Sequence, residues 1–218
     1  MQLKQTPRDA LLKPLQAVSG IVERRHTPPI LANVLPAHKD GGLFVTATDL
    51  EMQITAHAEL AGKEGEAVTV GARKLQDLLR ALPDDSMLNV EASANKMIVR
   101  AGRSRFNLQT LPAADYPRIG LVDEKLQTLT LSQGALRGLI KSVEFAMAQQ
   151  DIRYYLHGML LVIDNGSLQA VATDGHRLAW AELGVPGDYN RQEVILPRKT
   201  VLELAKLLAD SDEPVTLD

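Results

Sequence analysis

The feature that most limits what this chain can fold into is a repeat at a fixed offset of 125 residues. Ala47-Thr48-Asp49 recurs as Ala172-Thr173-Asp174. Without a gap, Leu11 falls on Leu136, Val18 on Val143, Leu31 on Leu156, Leu35 on Leu160, Gly41 on Gly166 and Leu43 on Leu168. Farther on, Arg73-Lys74 falls on Arg198-Lys199 and Leu82 on Leu207. A recurring tripeptide is weak evidence, but a collinear series over about seventy residues marks a duplicated domain. The 218 residues are therefore two copies of one unit, with a linker ending near Lys125.

The periodicity within each copy is mixed. Thr6-Pro7-Arg8-Asp9 has the form of a helix start, with Thr6 as N-cap and Pro7 at the first helical position. Apolar residues at helical spacing predict helices over 7–20, 73–82, 132–147 and 199–208, the third with Ser132 as N-cap. Alternating runs predict strands over 30–35, 43–47, 52–60, 67–70, 88–91, 96–101 and 105–110. In the second copy they predict strands over 155–163, 168–172, 177–183 and 193–196. The stripe of the fourth helix (Val201, Leu204, Ala205, Leu208) sits one position off its counterpart, so the offset slips locally there. Asp218 corresponds to position 93, and the strands at 96–101 and 105–110 have no second copy. A sheet lacking two strands exposes an edge, so the chain is expected to be part of a longer one.

Composition removes several classes of function. There is no cysteine, hence no disulfide, thiolate metal site or cysteine nucleophile. No apolar run approaches the roughly 20 residues of a membrane span, and no signal sequence opens the chain, so a cytoplasmic protein is expected. Aromatics are only 4%, too few for a surface built on base stacking. The net charge of −3 hides an asymmetry. The regions 8–26, 71–82, 134–153 and 198–207 carry 13 Lys and Arg against 6 Asp and Glu, and the remainder carries 11 against 21. A solvated helix face would also be charged, but the same bias in both copies favours a basic helical surface for a phosphate backbone.

Specific stretches carry a resemblance. They are Lys13-Pro14-Leu15-Gln16, Pro29-Ile30-Leu31, Thr48-Asp49-Leu50-Glu51-Met52, Gly102-Arg103-Ser104-Arg105-Phe106, Thr110-Leu111-Pro112-Ala113-Ala114-Asp115, Arg153-Tyr154-Tyr155-Leu156 and Thr173-Asp174-Gly175-His176-Arg177-Leu178. On these, the whole chain resembles the bacterial DNA polymerase III beta subunit family, the sliding clamps. The resemblance implies an α+β fold of duplicated clamp domains, each an antiparallel sheet with two helices on its inner side. Domain one would be 1–125 and domain two 126–218, the second lacking its last strands and a third domain being absent. In the family, two three-domain subunits close head to tail into a homodimeric ring on duplex DNA. The ring tethers the DNA polymerase III alpha subunit and meets the clamp loader, through a short linear motif in each partner. No catalytic residue, metal or cofactor is implied, and nucleotidyl transfer belongs to the polymerase.

The resemblance also places sites. Arg25, Gln150, Tyr154 and Tyr155, in the loops after the first helix of each copy, match DNA-touching positions, and Arg73, Arg198 and Lys199 would add phosphate contacts. Such groups hold a backbone without reading bases, which sliding requires. Leu156, Thr173, Gly175, His176, Arg177 and Leu178 match the cleft for partner peptides. Lys74, Leu78, Leu82, Arg103, Arg105, Phe106 and Leu108 match the face that meets the other subunit, although Leu78 and Leu82 serve equally as core.

Two rival classes stay in view. One is a duplicated peptide-binding scaffold with no DNA role. The other is a metal-dependent nuclease using Asp49 and Asp174. Against it, the five histidines lack metal-site spacing, no phosphate-cradling glycine loop occurs, and both aspartates suit turn caps.

Overall fold

The structure, a computed structural model, describes residues 1–22, 28–120 and 127–218. It divides into two compact units, Met1–Gly120 and Leu121–Asp218.

The first unit runs β1 (Gln2–Pro7), α1 (Arg8–Ser19), β2 (Asn33–Lys39), β3 (Gly42–Thr48), β4 (Gln53–Glu59) and β5 (Val68–Gly71). It continues with α2 (Ala72–Ala81), β6 (Met87–Ser93), β7 (Lys96–Ala101) and β8 (Ser104–Pro112). The strands form one antiparallel sheet in the order β1-β6-β7-β8-β5-β2-β3-β4. The β2–β3 register follows from Asp40-Gly41, both at positive φ (50° and 76°), the backbone of a two-residue hairpin turn. Leu11, Leu12, Leu15 and Val18 of α1 and Leu75 and Leu79 of α2 share one core with Val34, Val45, Ala47, Val70 and Val99 of the sheet. Both helices thus lie on one sheet face, each buried Leu or Val contributing about 1.5–3 kcal/mol. On the other face, Ile30, Leu31 and Leu35 are closed over by Tyr116. Its hydroxyl accepts from the Thr48 N–H and donates to the Asn33 carbonyl, each at 3.1 Å.

The second unit runs β9 (Leu129–Ser132), α3 (Gln133–Val143), β10 (Gly158–Asp164), β11 (Ser167–Thr173), β12 (Leu178–Gly184), β13 (Gln192–Pro197), α4 (Arg198–Leu207) and β14 (Pro214–Leu217). At the offset of 125, β10, β11 and β12 coincide residue for residue with β2, β3 and β4, hairpin turn included (Asn165 at φ 42°, Gly166 at 79°). The β9–β14 pair answers to β1–β6. Its sheet comes in two pieces, β12-β11-β10-β13 and β14-β9. Between β13 and β14, where the first unit has β7 and β8, lies an apolar cleft of about 450 Å³ lined by Leu129, Leu161, Ile163, Val194 and Leu217, among others.

Several sequence expectations need correction. Thr6 is not an N-cap, and Pro7 is not helical: residues 2–7 are a strand paired with β6, and α1 starts at Arg8. Pro29–Ala32 and Tyr154–Leu156 are 3-10 turns, so Ile30 and Tyr155 precede the strands they were expected to open. The third helix ends at Val143, and Glu144–Ala146 tightens into a 3-10 turn. Ser132 does cap that helix, accepting from Ala135 N–H at 3.2 Å. The slip at the fourth helix begins in the sheet. Asn33 pairs with Gly71, whereas Gly158 pairs with Pro197, one residue later than the offset predicts. Arg8, counted with the basic surface, is 9% exposed. It donates to the Leu82 carbonyl at 2.8 Å and pairs with Asp9 and Asp84.

Candidate nucleic-acid interface and peptide cleft

The two copies of Thr-Asp build the same turn. Asp49 Oδ1 accepts from the N–H groups of Glu51 (3.1 Å) and Met52 (2.9 Å), and Asp174 Oδ1 from those of His176 and Arg177 (both 3.0 Å). Thr48 Oγ1 donates to the Met52 carbonyl and accepts from Leu50 N–H, as Thr173 Oγ1 does with Arg177 and Gly175. Both aspartates are therefore spent on holding backbone. The two N–H groups and the Arg177 guanidinium hold the Asp174 carboxyl below its ordinary range. Among the described residues, no group of three or more acidic or histidine side chains could hold a metal.

The second turn meets the loop after α3. Arg153 lies over Gly175, where an added Cβ would stand 3.0 Å from Arg153 Nη2. Arg153 grips Asp151 twice, Nε to Oδ1 at 2.9 Å and Nη2 to Oδ2 at 2.8 Å, and this holds the Asp151 carboxyl well below the usual carboxylate range. The Asp151 N–H donates to His157 Nε2 at 2.7 Å, and Ala148 N–H to the Leu156 carbonyl at 3.0 Å. The loop is thus tied at both ends. Leu156 is buried beneath it; Gly175, His176, Arg177 and Leu178 are exposed and Thr173 half-buried. The Arg177 guanidinium stands 5.6 Å from the ring centre of Phe145, itself 58% exposed. Arg153 thereby links the loop after α3 to the turn 173–178, where Arg177 and Phe145 stand exposed side by side.

The residues expected to touch DNA fall as follows. Arg25 lies outside the described residues, as does the side chain of Tyr154. Gln150 and Tyr155 are exposed on the braced loop and its 3-10 turn. Arg73 is exposed on the first turn of α2. Arg198 and Lys199 open α4 and are half-buried. Arg198 donates to the Met147 carbonyl at 3.2 Å, so it also ties α4 to the segment just after the 3-10 turn that follows α3.

The residues expected at a subunit contact lie on α2 and just after it and on the β7–β8 hairpin, against the first core. Leu78, Leu82, Phe106 and Leu108 are half-buried and pack against it, and Lys74, Arg103 and Arg105 are exposed. Phe106 lies opposite Val99 and Leu108 opposite Met97, which turns both toward the helices, while Arg105 takes the other face beside Arg100.

The sequence profile of the DNA polymerase III beta subunit N-terminal domain matches residues 3–120, and that of the central domain matches 130–218. The chain belongs to this family. A beta sliding clamp of Pseudomonas putida is 48% identical over 213 residues, which are 96% of this chain and 58% of that protein. The solved DNA polymerase III beta subunit of Pseudomonas aeruginosa is 46% identical, with a TM-score of 0.92 over 99% of this chain and 59% of its own length. The DNA polymerase sliding clamp of Caulobacter crescentus gives 37% and 0.90, over 99% of this chain and 60% of its own. The chain thus spans 58–60% of the length of these relatives.

For this beta-subunit chain, sequence reasoning missed Asp151, His157 and Phe145, and quoted Arg153 without a role. Asp151 and Arg153 at i, i+2 in a polar loop look like solvated charge, and only the fold turns the pair toward Gly175.

Proposed function

We propose that the chain is the DNA-facing and partner-binding portion of a sliding clamp, a processivity factor that encircles duplex DNA and tethers a replicative polymerase. The observation that carries this is the match of both halves to successive domains of one beta subunit, on units whose elements repeat in register. In each unit both helices share one sheet face, and they carry most of the basic excess. Arg25, Arg73, Gln150, Tyr154, Tyr155, Arg198 and Lys199 then contact phosphates without reading bases. The turn 173–178 with Leu156 takes the short apolar motif of the polymerase alpha subunit or clamp loader. Leu78, Leu82, Phe106 and Leu108 with Lys74, Arg103 and Arg105 meet a second subunit when the ring closes. The chain binds and does no chemistry, and it works in the cytoplasm. Domain one is 1–125 and domain two 126–218.

The test is a titration of a clamp-binding peptide with wild type and Leu178→Ala, beside retention on nicked circular duplex at two salt concentrations. Peptide binding weakened by Leu178→Ala, together with salt-sensitive DNA retention, supports the reading. Peptide binding without any DNA retention supports the scaffold alternative instead.

A further inference from the structure

Next to the cleft, the second unit carries an apolar row that its own core does not use. Leu178 and Trp180 of β12 point away from the core and are 66% and 55% exposed, with buried Ala179 between them. Trp180 lies opposite Val171 on β11, Val171 opposite Leu160 on β10, and Leu160 opposite Ile195 on β13. Directly opposed residues share a sheet face. Trp180, Val171, Leu160 and Ile195 therefore form one continuous row, one step along the strands from Leu178 and Thr173.

The duplicated fold does not require this row to be apolar. In the first unit the same positions on β4, β3 and β2 are Thr55, Thr46 and Leu35. The two threonine hydroxyls bond each other at 3.0 Å. Leu35 is covered by the chain segment that carries Tyr116. Where this face is apolar in the first unit, a stretch of chain with one aromatic anchor lies on it. The row in the second unit is also bounded by charge, with Arg153, His176 and Arg177 on the cleft side and Glu182 and Glu193 on the other.

We propose that the Trp180 row is a second apolar subsite, taken by a bulky apolar residue that flanks the motif of the partner peptide held at the cleft. This rests on the peptide-cleft reading. Leu178 and Trp180 are two positions apart on one strand, about 7 Å. The flanking residue therefore falls two or three positions from the one that meets Leu178. A rigid indole offers large contact area at small entropic cost, which suits it to the task.

Trp180 is the single tryptophan, so the 15N-labelled chain gives one indole N–H signal. The probes are a five-residue apolar motif peptide and versions extended by three residues at either end, closing in Leu or in Ser. The core peptide is expected to shift the amides of Gly175 and His176. One Leu-extended peptide should also shift the indole signal and bind about tenfold more tightly than its Ser counterpart. Trp180→Thr, and separately Val171→Thr, should abolish that tenfold gain and leave core-peptide affinity unchanged. Equal affinity of Leu- and Ser-extended peptides overturns the proposal, as does an equal loss for core and extended peptides in Trp180→Thr. An indole signal that moves with protein concentration alone also overturns it, by making a second copy the occupant. If the core peptide moves neither Gly175 nor His176, the cleft reading itself fails and the subsite falls with it.

Discussion

Leu50 and Gly175 hold the same left-handed position of the same turn, at φ 79° and 87°. In the first copy a leucine, 57% exposed, carries the cost of that conformation; in the second a glycine relieves it and admits Arg153. The two substitutions should therefore behave unequally. Gly175→Ala adds left-handed strain and presses on Arg153, and should cost about 1–2 kcal/mol. Leu50→Gly relieves strain but loosens the unfolded chain, and should stay within about 0.5 kcal/mol of wild type. Urea unfolding of each variant decides it, and equal effects would mean that the turns are not equivalent.

Asp49→Ala and Asp174→Ala each remove an acceptor from two backbone N–H groups and should lower stability, the buried Asp49→Ala by about 1–2 kcal/mol and the less buried Asp174→Ala by less. Neither should alter any chemical activity, because a carboxylate spent on its own turn is no metal ligand. Magnesium-dependent cleavage of duplex DNA by wild type, lost in either variant, would restore the nuclease reading.

Acid should weaken the cleft region first. Asp151 and Asp174 both have folded pKa values below the ordinary carboxylate value, Asp151 through Arg153 and Asp174 through the N–H groups of its turn. A depressed folded pKa gives stability that is present above the unfolded value, near 4, and lost as pH falls through the folded value. The difference in urea midpoint between wild type and Asp151→Asn should hold constant from pH 7 to about 5 and shrink below about 4. A difference that grows on acidification would contradict the Arg153–Asp151 brace.

Two arginines counted together in the basic helices should separate. Arg8→Ala removes a nearly buried guanidinium from the Leu82 carbonyl and from two aspartates, and should destabilise the first unit measurably. Arg73→Ala, on an exposed first turn, should leave stability within about 0.5 kcal/mol and weaken DNA binding. Thermal unfolding and a duplex titration on both variants give the comparison.

What could be seen in the sequence was set by the repeat. The strands β10 to β12 were legible because the offset of 125 lays them on β2 to β4, so the pattern of Leu35 to Leu60 appears a second time. β1 was not, because a register shift between Leu3 and Thr6, with Gln5 at φ 48°, leaves only Leu3 and Thr6 buried, three apart, and destroys the alternation of a strand. The cleft residues came from the family resemblance, at a turn where the two copies differ, with Gly175-His176-Arg177 in place of Leu50-Glu51-Met52. The Asp151–Arg153–Gly175 contact and the Trp180 row depend on which side chains a turn and a sheet face bring together, and a one-dimensional pattern does not carry that. The buried position of Arg8 was hidden for the same reason, since its partners Leu82 and Asp84 are more than seventy residues away.

The most direct test of the sliding-clamp reading is the salt dependence of duplex binding by this chain, for two 30-base-pair sequences, with wild type and the Arg73→Ala/Lys199→Ala variant. The reading predicts equal affinity for both sequences, binding lost by moderate salt, and a log–log slope shallower by about 0.9 per phosphate contact removed. Preference for one sequence, or a slope untouched by removing both basic residues, would contradict it.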